Sequence, residues 1–242
     1  MADYSFGDFT NTVAELLGEN GCPWDKSRTF ENLREDLLEE CCEALDAAGK
    51  NDAASLCEEL GDVMLTVMLY VKIAEKDGLF ALNDVINGIT EKIIRRHSHV
   101  FGDKKAVTPE ESLANWDAEK RLEKKYASET ERLKAVPRTL PSLMRAQKVL
   151  KRAASGKNEA DGVKTRADEI SRLTAELVET PDGGADLTGV IGGILLRVAD
   201  ISRFLEINAE LALTNTIETF INVFENAGNV AIASFDGNTH NF

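Results

Sequence analysis

The chain has 242 residues, which fits one large domain or two small ones, and its 42 acidic against 28 basic residues give a formal net charge of −14. Such an acidic excess repels the nucleic-acid backbone and anionic lipid, so we expect no polymeric nucleic-acid partner and no membrane. The longest uncharged apolar run, residues 63–71, is far shorter than the roughly 20 residues of a membrane-spanning helix. The four cysteines lack metal-ligand spacing, which fits reduced thiols in a cytoplasmic protein.

Apolar residues recur at three- and four-residue spacing along the chain and only five prolines occur, which predicts an all-α fold. The first half contains four predicted helices, separated by turns rich in Gly, Pro and Asp. They cover residues 6–17, a stretch from an N-cap at Ser27 or Thr29 to Gly49, residues 53–76, and a stretch from Asn83 or Asp84 to His97. The short turn after Gly49 makes the second and third helices antiparallel neighbours.

The second half repeats this helical organisation. The charged stretch at residues 102–139 indicates an exposed helix anchored by Trp116, followed by a linker at residues 126–139. Further helices are expected at about 140–154, 164–178, 187–205 and 209–227. Residues 58–65 can be laid over 189–196, and residues 84–96 over 211–223, with the apolar positions preserved. In that alignment Glu59 becomes Val190 and Asp62 becomes Gly193. A duplication is favoured over a chance match between helices, with tandem helical-bundle domains at 1–125 and 140–242, the second of which lost its charged residues.

Acidic residues of the second and third helices are spaced to converge. Glu40 and Glu43 share one helix face with Glu39 beside them, and Glu59 and Asp62 repeat this spacing on the neighbouring helix. Carboxylates so close together require a cation, and an all-oxygen ligand set selects Mg²⁺ or Mn²⁺, which are commonly shared with substrate phosphates. A solvated acidic face explains Glu39 and Glu43 well, but not Asp62, which precedes nine uncharged residues predicted to be buried.

Three cations stand at the end of the fourth predicted helix: Lys92, Arg95 and Arg96. Arginine and lysine suit phosphate recognition, whereas simple stabilisation of a helix C-terminus is the structural alternative for any one of them. All three are missing from the aligned second half, as are the carboxylates, which favours a joint function. Trp24 and Trp116 are candidates for stacking on a base or closing a pocket, and a core or interface role is as well supported for each.

The order of these motifs is specific. Cys22-Pro23-Trp24-Asp25 is followed by Glu39-Glu40-x-x-Glu43, then by Glu58-Glu59-Leu60-Gly61-Asp62, and then by the run from Ile94 to Asp103 that contains Arg95-Arg96-His97-Ser98-His99. Together they resemble the MazG family of nucleoside triphosphate pyrophosphohydrolases. The resemblance covers about residues 5–125 and extends weakly into the second half as the family's second tandem domain.

The resemblance implies an all-α NTP pyrophosphatase fold, a homodimer assembled through helices, and hydrolysis of a nucleoside triphosphate to the monophosphate and pyrophosphate. It implies Mg²⁺ ligands at Glu40, Glu43, Glu59 and Asp62, with Lys92 and Arg96 on the phosphates. In two-domain members the second domain can be the active one. Here that domain lacks the acidic pair and the basic residues, so we expect activity in the first half.

As a mechanism, Glu39 or another carboxylate of the cluster would orient or deprotonate the water that attacks the α-phosphorus. Two other functions are consistent with the same sequence features. One is a phosphohydrolase restricted to a deoxynucleotide such as dUTP or dCTP, which would use the same carboxylates. The other is a non-catalytic helical regulator, with the second half as its binding surface.

Overall fold

The computed structural model of the chain describes residues 3–123, 126–154, 162–179 and 187–226. Within these residues the helices, in chain order, are α1 (Phe6–Leu16), α2 (Pro23–Lys26), α3 (Leu33–Gly49), α4 (Ala53–Lys76), α5 (Leu82–Arg96), α6 (Ser98–Phe101), α7 (Pro109–Glu123), α8 (Glu129–Lys134), α9 (Ser142–Ala154), α10 (Gly162–Glu179), α11 (Leu187–Phe204) and α12 (Ala209–Asn226). No strand occurs in the described part of the chain, which confirms the all-α prediction. None of these helices is long and apolar enough to cross a membrane.

The helices form two compact units, divided between Lys124 and Lys125. In the first unit, α3 and α4 pack along each other as the predicted antiparallel hairpin. The connection between them ends at Asp52, whose carboxylate accepts hydrogen bonds from the backbone N–H groups of Ala54 and Ser55 at 3.1 and 3.2 Å. An N-cap of this kind stabilises a helix by about 1 kcal/mol. The cap therefore fixes where α4 begins relative to α3.

The start of α3 differs from the prediction, because neither Ser27 nor Thr29 is its N-cap. Pro23 begins the separate single-turn helix α2, and Ser27 is the C-cap of that helix. The backbone N–H of Thr29 donates to Asn32 Oδ1 at 2.8 Å, and α3 begins only after Asn32. Short polar side chains that bond to nearby backbone compete with helix formation, which is why the helix starts later than the apolar pattern suggests.

The start of α5 also differs from the prediction, which placed it at Asn83 or Asp84. The helix begins at Leu82, and Asp84 is its third residue. The Asp84 carboxylate accepts a hydrogen bond from the Ala81 backbone N–H at 2.8 Å. An acidic residue at the third helical position commonly bonds back to the N-cap in this way, so Asp84 stabilises the start without marking it.

The core of the first unit lies toward the C-terminal half of α4. Val13, Leu33, Met68 and Leu69 are its buried members, contributed by α1, α3 and α4. The half of α4 that carries Glu59 and Asp62 lies outside this cluster. Asp62 is in the middle of α4, and Met64 and Val67 beyond it are exposed. The prediction that residues 63–71 are buried on every side is therefore wrong, because only one side of this half of α4 packs within the unit.

The second unit contains α8 to α12, and the predicted linker at residues 126–139 is part of it. This stretch includes α8, and Val136 just after it is 1% exposed. Arg132 Nη2 donates to the Arg152 carbonyl oxygen at 2.6 Å and so fastens α8 to α9. The linker prediction failed because its charged residues make tertiary contacts. The end predicted for the last helix, at residue 227, lies outside the described residues.

Candidate metal and phosphate site

The hairpin of α3 and α4 gathers three carboxylates, from Glu40, Glu43 and Glu59. One oxygen of each lies within 4.8 Å of the others. Glu40 and Glu59 are half-buried, whereas Glu43 is exposed. Among the described residues this is the only group of three or more His, Cys, Asp or Glu side chains with such spacing. We call Glu40, Glu43 and Glu59 the carboxylate cluster.

The electrostatics of the cluster are unfavourable without a cation. Burial, followed by repulsion from Asp62, Glu43 and Glu39, raises the pKa of Glu40. Burial, followed by repulsion from Glu43, raises the pKa of Glu59, and a hydrogen bond with Glu43 adds to the effect. Asp62 and Glu39 therefore border the cluster closely enough to act on it. An all-oxygen donor set of this charge fits a hard divalent cation such as Mg²⁺ or Mn²⁺.

A second group of charged side chains links the end of α5 to the end of α7. Arg95 Nε donates to Glu123 Oε1 at 2.8 Å, and Arg96 Nη2 donates to Glu123 Oε2 at 2.5 Å. The hydrogen bonds from Arg96 and then Arg95 hold the pKa of Glu123 well below its usual range, at about 2. The same Glu123 hydrogen bond raises the pKa of Arg96. The two arginines are thus already held by a carboxylate of the chain itself.

Trp116 lies in the same group. The Arg96 guanidinium stands over its ring at 5.0 Å from the centroid, and Lys120 Nζ at 4.5 Å. Such cation–π contacts order the cations they involve. The sequence reasoning missed Lys120 and Glu123, although their spacing from Trp116, four and seven residues, is that of one helix face and was a usable signal. We call Arg95, Arg96, Trp116, Lys120 and Glu123 the basic cluster.

The remaining predicted residues lie in different surroundings. Lys92 is half-buried on α5, one turn before Arg96. Trp24 is exposed, and the Arg28 guanidinium stands over its ring at 4.6 Å. Arg28 forms an ion pair with Asp36, so it links α2 to α3. In the described part of the first unit, Lys92, Arg95 and Arg96 make no ion pair with the carboxylate cluster, and Trp24 joins neither cluster.

A cleft of about 730 Å³ lies at the other end of α4, but none of the predicted site residues lines it. Its walls are residues 25–31, residues 72, 73, 75 and 76 of α4 with Asp77 after that helix, and Ala14 of α1 with Leu17 after that helix. Lys72 there is paired with Glu75 at 2.8 Å. The balance of charges in this cleft gives it no preference for an anion or a cation.

Two carboxylates of the second unit, those of Glu169 and Asp200, form ion pairs with arginines. Arg197 Nε on α11 lies 2.7 Å from a carboxylate oxygen of Glu169 on α10. Asp200 is nearly buried between Arg166 at 2.6 Å and Arg203 at 2.7 Å. Burial opposes the ionisation of Asp200, but hydrogen bonds from both arginines keep its pKa below its usual value.

The predicted alignment sets Gly193 and Val190 where the first unit has Asp62 and Glu59. Gly193 faces Leu173 of α10, and a Cβ at Gly193 would stand 3.2 Å from Leu173 Cδ1. Val190 is buried. At this crossing of α10 and α11 the structure therefore has apolar contacts where the α3–α4 hairpin has carboxylates.

Comparison with known proteins gives concordant matches. Residues 28–101 match the family model described as the MazG nucleotide pyrophosphohydrolase domain. The chain is 36% identical over 219 residues to the "Nucleoside triphosphate pyrophosphohydrolase" of Escherichia coli (strain K12), covering 89% of this chain and 83% of that protein. It is 32% identical over 220 residues to the "Nucleoside triphosphate pyrophosphohydrolase/pyrophosphatase MazG" of Thermotoga maritima, covering 91% of this chain and 84% of that protein.

A further relative is longer. The chain is 40% identical over 221 residues to the "Uncharacterized protein YabN" of Bacillus subtilis (strain 168). The match covers 90% of this chain but only 45% of that protein. The similarity therefore spans both units described above, within a larger protein in that case.

Proposed function

The chain belongs to the MazG family of nucleoside triphosphate pyrophosphohydrolases, a family of hydrolases, and we propose that it hydrolyses a nucleoside triphosphate to the monophosphate and pyrophosphate at the carboxylate cluster of its first unit. The observation that carries the proposal is the approach of three carboxylate oxygens, from Glu40, Glu43 and Glu59, within 4.8 Å. Such a cluster has the chemistry to hold a divalent cation against a polyphosphate.

Mg²⁺, or Mn²⁺ in its place, is the proposed cofactor. Glu40, Glu43 and Glu59 would hold it, with Asp62 as a fourth ligand, since the Asp62 charge already acts on the pKa of Glu40. When bound, the ion supplies positive charge to the triphosphate and to the charge that develops during hydrolysis. The raised pKa values of Glu40 and Glu59 support this assignment, because burial and then repulsion between carboxylates raise them, and a cation stabilises the ionised carboxylates against both.

Glu39 is the proposed residue for the attacking water. It is exposed beside the cluster, where its carboxylate can accept a proton from the water as the water oxygen bonds to the α-phosphorus. The bond between the α-phosphorus and the α,β-bridging oxygen then breaks, and pyrophosphate leaves. No covalent enzyme intermediate is required, so the two products form in one displacement.

Lys92, Arg95 and Arg96 are the proposed phosphate ligands. Lys92 and Arg96 lie one turn apart on α5, and Arg95 beside them is half exposed. Trp116 belongs to the same group through its contact with Arg96. Trp24 stays a candidate for base stacking, because its ring is largely exposed. The substrate phosphates are the anions that such a cluster recognises.

The first unit is the proposed site of the chemistry because the corresponding part of the second unit is self-neutralised. Glu169 and Asp200 are each paired with arginines, and Gly193 packs against Leu173. A divalent cation would have to displace these arginines to bind there. We therefore propose that the second unit is a degenerate copy of the first that serves as scaffold.

A homodimer is the proposed assembly. On α3, Leu38 and Leu45 are exposed at seven-residue spacing, and on α4 Leu60, Met64 and Val67 are exposed at four- and three-residue spacing. These stripes suit packing against another helical surface and flank the carboxylate cluster. The partner of this surface is proposed to be a second copy of the chain. Sedimentation equilibrium tests this: the wild type should sediment as a dimer and a Leu38→Glu, Met64→Glu variant as a monomer.

The activity is tested with purified protein, Mg²⁺ and a panel of NTPs and dNTPs, with products resolved by chromatography. The proposal expects monophosphate and pyrophosphate in equal amounts, and loss of both when the metal is chelated. Release of inorganic phosphate and diphosphate would refute it. Turnover of dUTP or dCTP alone would support the restricted phosphohydrolase, and no turnover of any nucleotide would support the regulator.

A further inference from the structure

One carboxylate holds two adjacent arginines at the end of α5. Glu123, the last residue of α7, accepts from Arg95 Nε at 2.8 Å through Oε1 and from Arg96 Nη2 at 2.5 Å through Oε2. Arg96 Nε donates to both oxygens at 3.1 Å. The Glu123 side chain is only 14% exposed. A carboxylate so placed is fully used by the two arginines and fixes them relative to each other.

The two arginines are held differently. The Arg96 side chain is 11% exposed and lies between Glu123 and the Trp116 ring. The Arg95 side chain is 49% exposed and, among the described residues, bonds to Glu123 through Nε alone. The two terminal amino groups of Arg95 are therefore left for another anion. Arg96 is the more firmly held of the two arginines, and Arg95 presents its outer edge to solvent.

We propose that Glu123 is a positioning residue for triphosphate binding, which anchors Arg96 against Trp116 and orients the exposed amino groups of Arg95 toward the substrate phosphates. This rests on the proposed function of the first unit. Arg95, Arg96 and Glu123 together carry a net positive charge, and Lys92 on the same helix adds to it, so the group still attracts phosphate. An arginine that is oriented in advance loses less side-chain entropy when it binds.

A competing role for Glu123 predicts the opposite effect on substrate binding when the carboxylate is removed. If the carboxylate instead occupies the place of a phosphate, the substrate must displace it, and its removal strengthens binding. Burial of Arg96 between Glu123 and Trp116 favours the positioning role, because the low exposure of Arg96 and Glu123 gives a substrate phosphate little access to the place that Glu123 occupies.

The test is equilibrium binding of adenosine 5′-(α,β-methylene)triphosphate with Mg²⁺ to the full chain, alongside steady-state kinetics with ATP. Glu123→Gln should weaken binding of the analogue about tenfold and raise KM about as much, while kcat changes less than about threefold. Glu123→Asp, which keeps the charge, should recover part of the loss. Arg95→Lys should weaken binding about as much as Glu123→Gln, because a lysine lacks the planar fork that lets Arg95 bond to Glu123 through Nε and present two further amino groups to phosphate.

Glu119→Gln is the matched control. Glu119 lies one turn earlier on α7 and is paired with Lys104 at 2.7 Å rather than with the arginines. Its variant should bind the analogue within about twofold of the wild type. Circular dichroism melting of every variant sets an assay temperature at which all of them are folded.

Unchanged or tighter analogue binding by Glu123→Gln would overturn the proposal, and so would a loss confined to kcat. Equal losses in Glu119→Gln and Glu123→Gln would also overturn it, because they would indicate a general role of α7. Pyrophosphate release by the wild type tests the proposed function separately. If the wild type binds the analogue without releasing pyrophosphate, the activity proposal fails while the positioning proposal is still decided by the binding data.

Discussion

The α3–α4 hairpin of the first unit and the α10–α11 pair of the second have carboxylates in opposite electrostatic states. Glu40, Glu43 and Glu59 lie together and form no ion pair with a cation of the described residues, and the pKa values of Glu40 and Glu59 are raised. Glu169 and Asp200 are each paired with arginines, and the pKa of Asp200 is lowered. Both units pack helices in pairs, but only the first leaves its negative charge for an external cation.

This difference shows that a pair of packed helices can leave its carboxylates unpaired or neutralise them with its own arginines. An arginine on the neighbouring helix neutralises a carboxylate permanently and contributes to folding. A carboxylate left unpaired destabilises the folded protein until a cation binds. The unpaired carboxylates of the first unit therefore destabilise its fold locally. The paired carboxylates of the second unit stabilise its fold. Substitutions that act on one unit and spare the other test this contrast.

The largest effect is expected for Glu40→Gln, which should lower NTP hydrolysis by about a thousandfold, since metal-ion catalysis supplies several kcal/mol. Pyrophosphate release measures the effect. Glu169→Gln is the matched control in the second unit and should change hydrolysis by less than about twofold. Comparable losses in the two variants would contradict the assignment of the chemistry to the first unit.

The next effect is on stability and is confined to the second unit. Asp200→Asn removes the charge shared by Arg166 and Arg203 in a nearly buried site and should lower the free energy of unfolding by about 3 kcal/mol. Urea denaturation followed by circular dichroism measures this. Asp62→Asn, the comparison in the first unit, should leave the stability of the metal-free protein unchanged or raise it. A loss in Asp62→Asn as large as that in Asp200→Asn would refute the contrast between the units.

A smaller effect is expected when Mg²⁺ is added. At ten times its dissociation constant, Mg²⁺ should stabilise the wild type by about 1.4 kcal/mol, because its proposed site, the carboxylate cluster, forms only in the folded protein. Differential scanning calorimetry with and without the ion detects the change. Glu59→Gln should abolish the stabilisation, and Glu169→Gln should retain it. Stabilisation that persists in Glu59→Gln would place the cation elsewhere.

The smallest effect is in the pH dependence of stability. The folded-state pKa of Glu123 is about 2, against an ordinary value of 4.5, so ionised Glu123 contributes stability above pH 4.5. That contribution is lost as the pH falls from 4.5 toward 2. Glu123→Gln should therefore lose less stability over this interval than the wild type, as measured by melting temperatures. Parallel curves for the two proteins would show that Glu123 is not ionised through its pairing with the arginines.

Periodicity was sufficient to predict most of the helices, because apolar spacing and Gly, Pro or Asp at the breaks are local signals. It failed at the starts of α3 and α5, where the side chains of Asn32 and Asp84 accept hydrogen bonds from backbone N–H groups and so decide the first turn. It also failed at residues 126–139, where the bond between Arg132 and Arg152 turns a predicted linker into a packed helix. The first two contacts each span only three residues and compete with other local hydrogen bonds, whereas the contact of Arg132 with Arg152 spans 20 residues, beyond any short sequence window.

The site was predicted to different extents in its two parts. The spacing of Glu40, Glu43 and Glu59 fixed their helix faces, and the short turn made the two helices neighbours, so their convergence was predictable. The prediction that Asp62 precedes a fully buried run was wrong, since burial depends on which helices pack around α4. Glu123 was missed because an ion pair 28 residues from Arg95 in sequence depends on how α7 returns to α5.

The helical class, the family motifs and the helix faces that carry the carboxylates follow from the order and spacing of the residues, because spacing along a helix sets the direction in which each side chain projects. Which charges are neutralised follows instead from how the helices pack. Glu123 meets Arg95 and Arg96, Asp200 meets Arg166 and Arg203, and the carboxylate cluster meets no cation of the described chain. Pairing of charges depends on the packing of distant helices, and that packing is fixed by the apolar cores and not by the charged residues themselves.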